Sequence, residues 1–76
     1  MYMKYEYDKR LGKQIKALRE KQRLTQEQLS AKLQTNGCDI TRSALAKIEA
    51  GQRHVYTLEL RVFKKVLSVS YDELLK

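Results

Sequence analysis

Among 76 residues there is no proline, no tryptophan, one cysteine (Cys38) and one histidine (His54). A lone cysteine cannot close an internal disulfide, and Cys38 with His54 falls short of the four ligands a structural zinc site takes. No metal and no cofactor is therefore expected. Cys38 itself reads as a small loop or core residue, with redox sensing as the alternative. The three glycines form no phosphate-cradling loop, and no pair of isolated carboxylates stands apart for acid–base work. No constellation for nucleophilic catalysis remains, so the chain is not expected to be an enzyme. Size agrees, because a domain this small buries only roughly 60% of the surface its unfolded chain exposes and has little room for a deep cleft. Long apolar runs are missing too. None approaches the ~20 residues that cross a bilayer, and no apolar stretch of signal-peptide type follows the first residues. The expectation is a soluble, cytoplasmic protein with no membrane partner.

Acid is scarce relative to base. Sixteen Lys and Arg against nine Asp and Glu give a formal charge of +7, which on so small a body attracts polyanions. Nucleic acid is the first candidate partner and an anionic membrane surface the weaker one. With no repeats and no low-complexity linker, nothing divides the chain beyond an N-terminal arm, residues 1–7, ahead of one domain, residues 8–76. The arm interleaves two methionines and three tyrosines with Lys4 and Glu6, and such a segment can pack locally, fray or pair with a partner chain.

What the chain has in quantity is helical periodicity. Leu11, Ile15 and Leu18 recur at spacings of four and three, with Asp8 expected to cap this first helix and Arg19 beside its apolar stripe. A turn is predicted at residues 22–24. Thr25 followed by Gln28 then makes a capping box, and Leu29 and Leu33 supply the inner face of a second helix. Asn36-Gly37 breaks it. Thr41 caps a third helix, with Leu45 and Ile48 inward and Arg42, Ser43 and Lys47 outward, and Gly51 stops it. A fourth helix from about Thr57 should bury Leu58, Leu60, Val62, Phe63, Val66 and Leu67 to differing degrees and show Arg61, Lys64 and Lys65 to water. Ser70 with Glu73 opens a short fifth helix through Leu74 and Leu75. The prediction is an all-α, five-helix domain. Two short helices in tandem, the second basic and polar outside, are what reading a major groove needs.

Four strings carry a specific resemblance: Leu18-Arg19-Glu20, Leu24-Thr25-Gln26-Glu27-Gln28-Leu29, Ala46-Lys47-Ile48-Glu49-Ala50-Gly51, and Val69-Ser70-Tyr71-Asp72-Glu73-Leu74-Leu75. In that order and close to the usual separations, they make the chain resemble the Cro/C1-type, lambda-repressor-like helix-turn-helix family from Leu11 to Leu75. The resemblance implies a DNA-binding transcriptional regulator, a repressor in the form expected here. It also implies that Gln26 holds a phosphate beside a helix N-terminus and that Arg19 and Glu49 form a largely buried ion pair setting the tilt of the third helix. Base reading is expected from Arg42, Ser43 and Lys47, with Ala44 offering a methyl contact. Phosphate contacts are expected from Thr41, Gln52 and Arg53, with His54 joining them or merely capping the segment. Because one small domain reads too few base pairs, a homodimer on an inverted repeat with half-sites about 10 bp apart is expected. Its contacts would come from Tyr71 and Leu75 or from the tyrosine arm. The rival reading is a protein-interaction module of the same fold, such as an antitoxin or adaptor. Three departures from the family stand out: a longer connection over residues 34–40, Ala50 in place of a polar residue, and Ser68 where glycine is common.

Overall fold

The computed structural model describes residues 4–76, with side chains from Glu6 onward. Among these, the chain forms five helices: α1 (Lys4–Lys21), α2 (Gln26–Thr35), α3 (Arg42–Glu49), α4 (Thr57–Leu67) and α5 (Tyr71–Leu74). The all-helical, five-helix architecture predicted from periodicity is the one found.

α1 begins four residues earlier than expected. Asp8 lies inside the helix and caps nothing; its carboxylate faces His54 instead. Lys4–Tyr7 therefore belong to α1 rather than to a separate arm, while Met1–Met3 lie outside the described residues. The acidic first turn (Glu6) and basic last turn (Arg19, Lys21) suit the helix dipole.

The other three predicted caps hold. Thr25 Oγ1 accepts from the Gln28 N–H at 3.0 Å while Gln28 Oε1 accepts from the Thr25 N–H at 2.9 Å. Ser70 and Glu73 repeat the motif at α5, and Thr41 Oγ1 accepts from Ala44 N–H at 3.2 Å to start α3. At α4 the cap works from one side only, with Glu59 Oε1 accepting the Tyr56 N–H at 3.0 Å. α3 ends as Gly51 turns left-handed at φ 76°, where glycine meets no Cβ penalty. Ser68 adopts the same region at φ 54° without that freedom, as its place after α4 demands.

Leu11, Ile15, Leu29, Leu33, Ile40, Leu45, Ile48, Phe63, Leu67 and Leu74 are buried together, so every helix contributes to one core. Burying such side chains stabilises by roughly 1.5–3 kcal/mol each relative to leaving them in water. α1 and the turn that follows it also tie down the ends of α4 and α5. Gln22 Nε2 donates to the Leu67 carbonyl at 2.6 Å and Gln14 Nε2 to the Glu73 carbonyl at 2.7 Å. These bonds occupy carbonyls that a helix end leaves without an intrahelical partner.

Three expectations for α4 and α5 are corrected. Leu58 is not partly buried but 73% exposed, because it falls on the side of α4 opposite Phe63 and Leu67. Lys64 is half-buried, with its ammonium 5.3 Å from the centre of the Tyr71 ring. α5 stops at Leu74, leaving Leu75 exposed.

Candidate nucleic-acid interface

α3 is one helix with two chemically opposite faces. Leu45, Ile48 and the Glu49 carboxylate are buried, Ser43 and Lys47 are exposed on the other side with Ala44 half-buried between, and Arg42 is exposed in the first turn, at the edge of the buried stripe. This alternation follows from the helical repeat, which puts positions 45, 48 and 49 on one stripe and 43 and 47 on another.

A buried polar network joins the end of α3 to α1 and the start of α2. Arg19 Nε donates to Glu49 Oε2 at 2.7 Å and Arg19 Nη2 to Glu49 Oε1 at 3.0 Å, while Arg19 Nη1 reaches the Leu24 carbonyl at 2.7 Å. The pair implied by the family resemblance is thus present, two-pronged and buried. Hydrogen bonding to the carboxylate raises the Arg19 pKa further above its ordinary value, against the opposing effect of burial, so the guanidinium stays charged. Among the described residues no buried side-chain nitrogen or oxygen is without a partner.

Gln26 joins this network. Its Nε2 donates to Glu49 Oε1 at 3.0 Å, so the carboxamide expected at a phosphate is anchored on one N–H to the end of α3 and retains the other. A second constraint was not foreseen. A Cβ on Gly12 would enter the shell of the Ile48 carbonyl oxygen and come within 3.1 Å of that of Glu49. α1 and α3 approach so closely that only glycine fits there. The available signal was a glycine inside an amphipathic stretch, where it weakens the helix by ~1 kcal/mol relative to alanine and calls for a packing reason.

The segment after α3 is pinned from both sides. His54 Nδ1 lies 2.6 Å from Asp8 Oδ1 on α1, with the His54 ring edge-on to Tyr56 at 5.2 Å. Arg53 Nη1 and Nη2 donate to the two Glu59 oxygens at 3.0 and 2.9 Å, and Nη1 also to the His54 carbonyl. Expected at a phosphate, the Arg53 guanidinium instead bridges to α4, keeping only Nε–H and one Nη2 hydrogen for anything else. The Arg53 partner holds the Glu59 carboxyl below its ordinary pKa. Neither Asp8–His54 nor Arg53–Glu59 carries a spacing signal, since partners 46 residues apart or joined through an irregular turn meet only in the fold. Gln52 and Thr41 are exposed at opposite ends of α3, the Thr41 hydroxyl oxygen already accepting its cap bond.

The connection between α2 and α3 is shorter and tighter than the sequence suggested. α2 runs on to Thr35, Gly37 turns left-handed at φ 81°, and Cys38 N–H returns to the Leu33 carbonyl at 2.9 Å. Ser30 Oγ then donates to the Ile40 carbonyl at 2.7 Å. Cys38 and Ile40 are both buried, so the extra residues form a plug rather than an open loop. Burial, foremost, pushes the Cys38 thiol pKa up, which disfavours the thiolate that redox chemistry uses.

A helix-turn-helix family model matches residues 15–74, spanning every element just described except the first turns of α1. The chain belongs to the Cro/C1-type helix-turn-helix family. Comparisons with characterised proteins and with solved structures give no match. Membership makes this chain a DNA-binding helix-turn-helix regulator, of a domain type whose work is binding and not catalysis. Among the described residues no helix is long and apolar enough to cross a membrane.

Proposed function

We propose that this helix-turn-helix domain is a transcriptional repressor that inserts α3 into the major groove of double-stranded DNA and acts as a homodimer on an inverted repeat. One observation carries the reading. Ser43 and Lys47 are exposed opposite the buried face of α3, Arg42 is exposed in its first turn, and the end of the helix is held by Arg19, Glu49 and Gln26.

The chemistry follows from donor geometry. Arg42 presents a planar fork that matches guanine O6 and N7, Lys47 reaches guanine or a phosphate, Ser43 accepts several bases, and Ala44 meets a thymine methyl. Thr41 and Gln52 flank the helix and position it on backbone oxygens, with Gln26 adding its free N–H beside the start of α2. Arg53 contributes chiefly charge, since most of its guanidinium faces Glu59. No bond is made or broken; occupancy of the site excludes the transcription machinery.

Selection of bound duplexes from a random DNA pool tests the whole reading. The expected result is a palindromic consensus with half-sites about 10 bp apart, at least one guanine in each, and affinity that falls steeply as salt rises. A flat, salt-insensitive response with no enriched sequence would sink it and leave the interaction-module reading in its place.

A further inference from the structure

We propose that the outward face of α4, centred on Leu58 and Val62, is a self-association surface that pairs with the same face of a second copy of this chain about a twofold axis. The inference rests on the homodimer reading above. It assigns that dimer a surface other than Tyr71 and Leu75 or the N-terminal residues.

Leu58, at 73%, is the most exposed large apolar side chain among the described residues. The core does not use it, because α4 reaches the core through Phe63 and Leu67, with Leu60, Val62 and Val66 packed against it. Val62 is half-buried one turn further on, so the two lie side by side on the helix surface. Two shallow depressions of about 310 and 370 Å³ border this stripe, and Leu58 and Val62 line both. The first is closed by Asp39 and Glu59, the second by Arg61 and Lys65. Helical geometry gives the same division, with Glu59 on one flank of the stripe and Arg61 and Lys65 on the other.

The charges on these flanks are largely uncommitted. Asp39, Arg61 and Lys65 make no ion pair or side-chain hydrogen bond among the described residues, whereas Glu59 is held by Arg53. An apolar stripe with acid along one edge and base along the other is complementary to itself under a twofold rotation about an axis that runs along the stripe. Each Asp39 then meets Arg61 and Lys65 of the other copy, and the two leucines close over one another. A partner of single sign would answer one flank and be repelled by the other. The opposed flanks also offset, locally, the repulsion between two bodies of charge +7. The stripe is small beside the ~800 Å² per partner of a standard interface, so pairing is weak in free solution. It strengthens when one DNA duplex holds two copies together.

Charge reversal tests this without touching the core. In sedimentation equilibrium up to the solubility limit, the wild-type chain should dimerise, and Asp39→Lys alone or Arg61→Glu with Lys65→Glu should each raise the dimer Kd by about tenfold or more. Mixing the two variants should restore association to near the wild-type level, because their heterodimer has opposite charges at both contacts. A merely unfolded or distorted variant could not be rescued in this way. Tyr71→Ser with Leu75→Ser should leave the dimer Kd within about twofold. Wild-type protein that stays monomeric, reversals that leave the dimer Kd unchanged, or a mixture that fails to associate would each overturn the proposal. Stoichiometry on the selected palindrome separates the two readings. Two copies bound with undiminished cooperativity by the reversed variants would keep the homodimer and reject the α4 surface, whereas one copy per site would reject both.

Discussion

Two arginine–glutamate pairs lie at and just beyond the C-terminal end of α3, and their geometry is nearly the same. Arg19 and Arg53 each donate two hydrogen bonds to one carboxylate at 2.7–3.0 Å. Their surroundings differ. The Arg19 and Glu49 side chains are 9% and 3% exposed, against 29% and 20% for Arg53 and Glu59. In the first pair neither charge can recover water if the other is lost, and Gln26 would lose its acceptor as well. In the second, solvent replaces much of what a substitution removes. Equal bond lengths therefore do not mean equal worth; what decides is the cost of leaving one partner behind.

The largest effect should come from breaking the buried pair. Glu49→Ala is expected to destabilise the domain by about 3–5 kcal/mol in urea unfolding, and a loss below about 1 kcal/mol would mean the pair is hydrated after all. Gly12→Ala tests the same junction sterically. The added methyl has to push α1 from the Ile48 carbonyl, costing about 1–3 kcal/mol, and weakened DNA binding should accompany it because α3 moves. A variant as stable as wild type would show that the α1–α3 spacing is not fixed by contact.

Arg42→Ala sharpens the contrast between holding and reading. Stability should hold within about 0.5 kcal/mol, while binding to the selected sequence weakens by about 1–3 kcal/mol and preference at one base position relaxes. Unchanged selectivity would remove Arg42 from the base contacts. The smallest effect belongs to the half-exposed pair. Glu59→Gln should lower stability by about 0.2–1 kcal/mol at neutral pH. The Glu59 pKa is depressed below 4.5 by Arg53, so this contribution is complete above that ordinary value and is lost as pH falls through the folded-state value. The difference between wild type and variant should accordingly shrink on acidification, and a difference that grows would contradict the assignment.

Much of the molecule was legible in its sequence because the determining forces are local. Thr25, Thr41 and Ser70 bond to amides three residues on, and Leu45 and Ile48 share a face whatever surrounds them. The exposed stripe of Ser43 and Lys47 is the complement of that buried face, with Arg42 at its edge in the first turn. Arg19 with Glu49 was legible only through the family resemblance, since nothing in a separation of thirty residues identifies partners.

Residues whose partners come from distant segments were only partly legible. Asp8 suits a helix start, but the turn before it is helical and its carboxylate meets His54. Arg53, expected at a phosphate, also has Glu59 of α4 as a partner, which nothing local in the sequence signals. Leu58 fits an inward position by composition alone, and only the rotation of α4 about its axis, set by Phe63 and Leu67, turns it outward.

By itself the sequence determined where helices start and stop and which face of each is apolar, because these depend on neighbours within about one helical turn. Tertiary packing alone decided which polar groups meet across helices, how closely α1 approaches α3, and which apolar side chains are left outside. Those outcomes depend on distances between segments far apart in the chain, and no local rule carries that information.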